Sequence, residues 1–157
     1  MGYTHYWKPV KVDQQTWNKF VTVCIILKNN LPKSSKSAGG YYKDVPIVIC
    51  GGDGTGEPDF ELGDGRNIVC FNGTEENDLG HETFVVGKDK IDWDFCKTAG
   101  KPYDLLVGAC LVAAHEILGY KVSSDGQGKD WRPIFDHYEK IIGKISVPRK
   151  KFFQKTI

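Results

Sequence analysis

Long apolar runs are the first thing this sequence lacks. The longest, Leu105 to Ala114, falls far short of the ~20 residues needed to cross a bilayer, which excludes a membrane-spanning helix. The opening residues, Met1 to Lys8, have no apolar centre of the kind a secretory signal carries, so a cytoplasmic location is expected. No two cysteines are spaced CxxC, and Cys24, Cys50, Cys70, Cys96 and Cys110 are odd in number. That argues against a disulfide framework, a zinc site or a thioredoxin-type motif; five free thiols, mostly set in apolar runs as small hydrophobes, are expected instead. Net charge is nearly absent as well, +1 from 21 basic and 20 acidic residues.

What is present suits one folded domain: 157 residues, 40% hydrophobic and 26% charged. The charge is unevenly spread. Residues 1–50 hold seven Lys and two Asp, residues 51–94 twelve acids and three bases, and residues 95–157 eleven bases and six acids. Such polarity can steer an anionic ligand toward one face, and it is compatible with a homo-oligomer paired head to tail.

Periodicity supplies the elements. Thr4 to Val12, rich in aromatic and β-branched residues, reads as a strand. Asp13 then caps a helix whose apolar set is Trp17, Phe20, Val21, Cys24, Leu27 and Leu31, and Pro32 ends it. Residues 33–44 have loop composition. From Pro46 to Val86 short strands alternate with glycine turns, the pattern of an antiparallel meander. Residues 102–118 read as a central buried helix, apolar on nearly every face, with Asp104 in its first turn and Gly119 just past its end. Tyr120 to Ser123 is a short strand, and Asp130 opens a third helix with Trp131, Ile134, Phe135, Tyr138, Ile141 and Ile142 on one face. The expected fold is α+β, a single domain over residues 1–143 with a mostly antiparallel sheet and about three helices, followed by a basic tail, residues 144–157.

Val48-Ile49-Cys50-Gly51-Gly52-Asp53-Gly54-Thr55 resembles the strand-then-GGDGT signature of NAD kinases and diacylglycerol kinases. Gly56-Glu57-Pro58-Asp59-Phe60 does not open the helix those enzymes place next, and a glycine-rich hairpin loop is the better reading. As a calcium loop counted from Asp53, the sixth and twelfth positions are Pro58 and Asp64 where an EF-hand needs Gly and Glu, so no metal is expected.

Three groups carry site chemistry. Lys97, Thr98 and Lys101 stand just before the central helix, where free N–H groups and a partial positive charge favour phosphate or carboxylate. Ser123, Ser124 and Asp125 are consecutive polar groups suited to sugar hydroxyls. His5 and Trp7 alternate on the first strand, share a face, and can stack a base and bond its edge. Asp78, His81 and Glu82 form a further polar turn.

On Gly2-Tyr3-Thr4-His5-Tyr6-Trp7, Gly54 to Pro58, Phe71-Asn72-Gly73, Glu82-Thr83-Phe84, Phe95 to Asp104, Val122 to Gly126 and Trp131, the chain resembles a family of small uncharacterised proteins of bacteria and their phages. The resemblance spans most of the chain to about residue 143 and implies a phage context without a reaction. The combined expectation is a non-catalytic protein that binds a small phosphorylated, nucleotide-derived ligand without a cofactor, as in sequestering a host immune signal. Two alternatives are a metal-dependent phosphodiesterase or related hydrolase using Asp78, His81 and Glu82, and a nucleic-acid- or protein-binding module using Arg149, Lys150, Lys151 and Lys155. Nucleic acid is the less favoured partner.

Overall fold

Thr4–Lys8 forms strand β1, which runs through the middle of a sheet. The computed structural model describes residues 3–35, 42–63, 65–126 and 128–153; Gly2, residues 36–41 of the expected loop, Asp64 and Lys155 lie outside the described residues. Helix α1 follows at Gln14–Asn29, its first turn capped by the Asp13 carboxylate, which accepts the Thr16 N–H at 2.8 Å. Trp17, Phe20, Val21, Cys24 and Leu27 recur at three- and four-residue steps and make its buried face.

The middle of the chain builds a second sheet from Ile49–Cys50 (β2), Asp59–Glu61 (β3), Ile68–Gly73 (β4) and Phe84–Gly87 (β5). All pair antiparallel with β4, with Phe60 opposite Val69 and Phe84 opposite Phe71. Asp94–Lys97 is a strand as well (β6), where the sequence reading has only a loop leading to a helix. It pairs antiparallel with β1, and Lys121–Ser124 (β7) takes the other edge of β1, giving the order β6-β1-β7.

Asp104–Ala113 is helix α2, and every residue from Leu106 to Ala113 is buried. Its last turn widens to π-type bonding over Ala114–Leu118 and stops at Gly119, whose φ of 78° is a left-handed position that glycine takes at little cost. Arg132–Ile141 is helix α3. The architecture is thus a single α+β domain with, among the described residues, two antiparallel sheets and three α-helices, and α2 packs against both other helices. Trp7 meets Phe84 at 5.3 Å and Phe84 meets Phe71 at 5.1 Å, so one aromatic chain ties the two sheets together.

The segment after residue 143 contributes to this core. Ile145 and Phe152 are buried, and the Arg149 guanidinium holds α3 through Asp136 and Glu139. All five cysteines are free, with Cys24, Cys96 and Cys110 buried. Among the described residues no helix is long and apolar enough to cross a membrane.

Candidate functional site

Strand alternation sorts the expected site residues onto two faces of the β6-β1-β7 sheet. The inner face carries His5, Trp7, Cys96, Val122 and Ser124; the outer carries Tyr6, Lys8, Phe95, Lys97, Lys121 and Ser123.

On the inner face His5 is fully buried between two partners brought from far along the chain. Its Nε2 lies 2.6 Å from Asp104 Oδ1 and its Nδ1 lies 2.7 Å from Ser124 Oγ. An ionised Asp104 makes Nε2 the protonated nitrogen, so Nδ1 accepts the Ser124 hydroxyl. The same Oδ1 also accepts the buried Thr98 hydroxyl at 2.5 Å. The imidazole is held edge-on by Tyr3 at 5.2 Å and Trp131 at 5.0 Å. Burial, and after it the Asp104 carboxylate, holds the Tyr3 phenol well above its ordinary pKa, so it stays protonated.

A Ser–His–Asp chain in this order is the arrangement that activates a serine for acyl transfer. Ser124 is not placed to use it. Its Oγ accepts the Trp131 Nε1–H at 3.1 Å and the Gly126 N–H at 3.0 Å while donating to His5, which occupies both lone pairs and the proton. The cluster is a polar knot that fixes β1, β7 and the start of α2 to one another.

The entrance to α2 is closed in a similar way. The N–H groups of Asp104, Leu105 and Leu106 donate to the carbonyls of Lys101, Pro102 and Tyr103, so none of these three points free at a ligand. Lys101 is buried, its ammonium donating to the carbonyls of Asp78 at 2.8 Å and Gly80 at 2.9 Å. Thr98, Lys101, His5 and Trp7 are therefore interior groups, and Ser124, half-buried, has its hydroxyl taken up by the knot. Of the expected residues Lys97, Ser123 and Asp125 remain accessible; Asp125 is tied to β1 by the Thr4 N–H at 3.0 Å and touched by the Tyr6 hydroxyl at 3.3 Å.

The outer face holds residues that sequence reasoning passed over. Tyr6, Trp93 and Phe95 form a ring cluster with centroids 5.9 to 6.5 Å apart. It is open to water, with Trp93 55% and Phe95 49% exposed, whereas Trp7, Trp17 and Trp131 are buried. Tyr6 is opposite Phe95 on one side and Ser123 on the other, Thr4 is opposite Lys97, and Lys8 is opposite Lys121. Lys8, Lys97 and Lys121 form no ion pair among the described residues. The signal was available in the alternation: Tyr6 and Lys8 must oppose His5 and Trp7, and Trp93 and Phe95 stand two residues apart.

Asp78, His81 and Glu82 do not converge. The Asp78 carboxylate faces Lys101 at 3.2 Å, and Glu82 Oε1 accepts the Lys97 N–H at 2.8 Å. Among the described residues no group of three or more His, Cys, Asp or Glu side chains is arranged to hold a metal ion. The Gly51–Gly56 loop closes on itself, with Asp53 Oδ1 accepting both the N–H and the hydroxyl of Thr55, and it leads into β3 rather than a helix. No family model, curated protein or solved structure matches the chain.

Proposed function

We propose that the protein binds a small phosphorylated, nucleotide-derived ligand on the outer face of the β6-β1-β7 sheet and does not turn it over. The observation that carries this reading is the ring cluster of half-buried Tyr6 with exposed Trp93 and Phe95, flanked by lysines that form no ion pair among the described residues. Large aromatic rings left in water on a rigid sheet match the flat faces of bases, and stacking is worth about 1–3 kcal/mol per base. Lys97 at one end of the rings supplies charge for phosphate, while Ser123 and the Asp125 carboxylate beside Tyr6 suit sugar hydroxyls. Binding without turnover is supported by Ser124, which ends a His–Asp chain, having no lone pair to spare. Stoichiometric sequestration of such a ligand, the role suggested by the resemblance to phage proteins, needs nothing further.

Trp93 is the exposed member of four tryptophans, so it reports on its own site. Titration with ATP should quench its fluorescence saturably. Trp93→Ala should remove the response and, followed by calorimetry, weaken binding at least fivefold, about 1 kcal/mol. Quenching that survives in Trp93→Ala, or no heat at all, refutes the placement.

A further inference from the structure

We infer that the ligand carries phosphate on both sides of its stacked bases, as a short linear or cyclic oligonucleotide does and a mononucleotide does not; this rests on the binding reading just given. Along β1 the outer face reads Thr4, Tyr6, Lys8. Lys97 lies beside Thr4, the rings centre on Tyr6, and the pair Lys8 and Lys121 closes the far end. Four strand steps separate the two cationic ends, about 13 Å at the usual rise. The phosphate of a mononucleotide stacked on the rings reaches one end and leaves the other unneutralised. A ligand with two bases on the rings and phosphates beyond them meets both.

The ligand is also short. Past Lys97 the surface turns acidic, with Asp78 and Glu82 both exposed and the Glu82 carboxylate accepting the Lys97 N–H, and a long polyanion continuing beyond that end would run onto them. Asp125, at the Lys97 end, accepts from Thr4 and Tyr6 and is suited to a sugar hydroxyl rather than to phosphate.

The test compares calorimetric titrations of the full chain with ATP, with the linear diadenylate pApAp, and with a twenty-residue oligodeoxyadenylate. ATP and pApAp both carry several phosphate charges, but only pApAp places them on both sides of two bases. The expected result is pApAp binding at least tenfold more tightly than ATP. Lys97→Met should remove that advantage, and so should Lys8→Met combined with Lys121→Met, while thermal melting stays unchanged in both. Equal affinity for ATP and pApAp overturns the two-ended ligand and leaves the binding reading standing. No binding of either overturns both. A twenty-residue strand that outcompetes pApAp tenfold overturns the short ligand in favour of single-stranded nucleic acid.

Discussion

Replacing Lys101 by Met separates a structural lysine from a ligand lysine. The Lys101 side chain is 8% exposed and its ammonium meets the carbonyls of Asp78 and Gly80 at 2.8 and 2.9 Å. Hydrogen bonds from a charged donor contribute about 1.5–3 kcal/mol each. The contact to the Asp78 carboxylate adds little, because that side chain is 93% exposed and well solvated. Methionine keeps the apolar stem, and water can reach part of the two abandoned carbonyls, so the net loss is about 2–3 kcal/mol. A domain of this size loses about 2–4 °C of melting temperature per kcal/mol, which predicts a fall of about 4–12 °C by differential scanning calorimetry. ATP affinity measured below the transition should not change. Lys97→Met should behave in the opposite sense, with melting within about 0.5 kcal/mol of the parent and weakened binding. A Lys101→Met protein that melts with the parent would refute the reasoning, since the ammonium would then be spare and the α2 entrance open.

Three further outcomes follow from the interior. A Cβ on Gly108 would lie 2.3 Å from Ile134 Cδ1 where α2 crosses α3, so Gly108→Ala should destabilise by about 1–3 kcal/mol in urea melts despite its better helix propensity. Ser124 should resist a fluorophosphonate probe read by intact mass, and Ser124→Ala should cost about 1–3 kcal/mol because the Trp131 Nε1–H and the Gly126 N–H lose their acceptor; labelling of Ser124 would return it to the nucleophiles. Burial holds His137 below its usual value of 6.5 while its Nε2–H donates to the Leu27 carbonyl, so the unfolded chain takes up that proton first as pH falls. Stability is therefore full above about pH 6.5 and drains as the pH drops toward the lower folded value; the melting temperature should fall from pH 7 to pH 5, and His137→Gln should flatten that slope.

The helices were legible because their signals are local. Asp13 caps α1, the apolar steps of α1 fall where its buried face lies, and Gly119 ends the central helix, each read from a few neighbouring residues. The strands of the second sheet were legible for the same reason, as short apolar runs between glycine turns. β6 was not. Asp94–Lys97 holds two charged residues and ends beside Thr98 and Gly100, so by composition it belongs to a loop; it becomes a strand because β1, some ninety positions earlier, offers an unpaired edge. The knot at His5 was hidden in the same way, since Asp104 and Ser124 look like a helix-start acid and a turn serine until the sheet closes.

The choice of face on β1 shows where local reading stops. Tyr6 and Trp7 are both large aromatics, and nothing within Thr4–Lys8 says which of them goes inside. Period-2 alternation fixes only that they part company. The decision comes from the neighbours across the sheet: Trp7 lies beside Val122 and reaches Phe84, whereas Tyr6 lies between Phe95 and Ser123, both on the watered side. One residue of slip of β1 would turn Lys8 inward and His5 outward, and the same slip of β6 or β7 would turn Lys97 or Lys121 inward; the energetic cost of burying such a cation without a counterion is what forbids each of them. The same penalty that sets the register therefore leaves these cations in water beside three rings, and a site for an anionic, flat ligand follows from how the sheet had to pack.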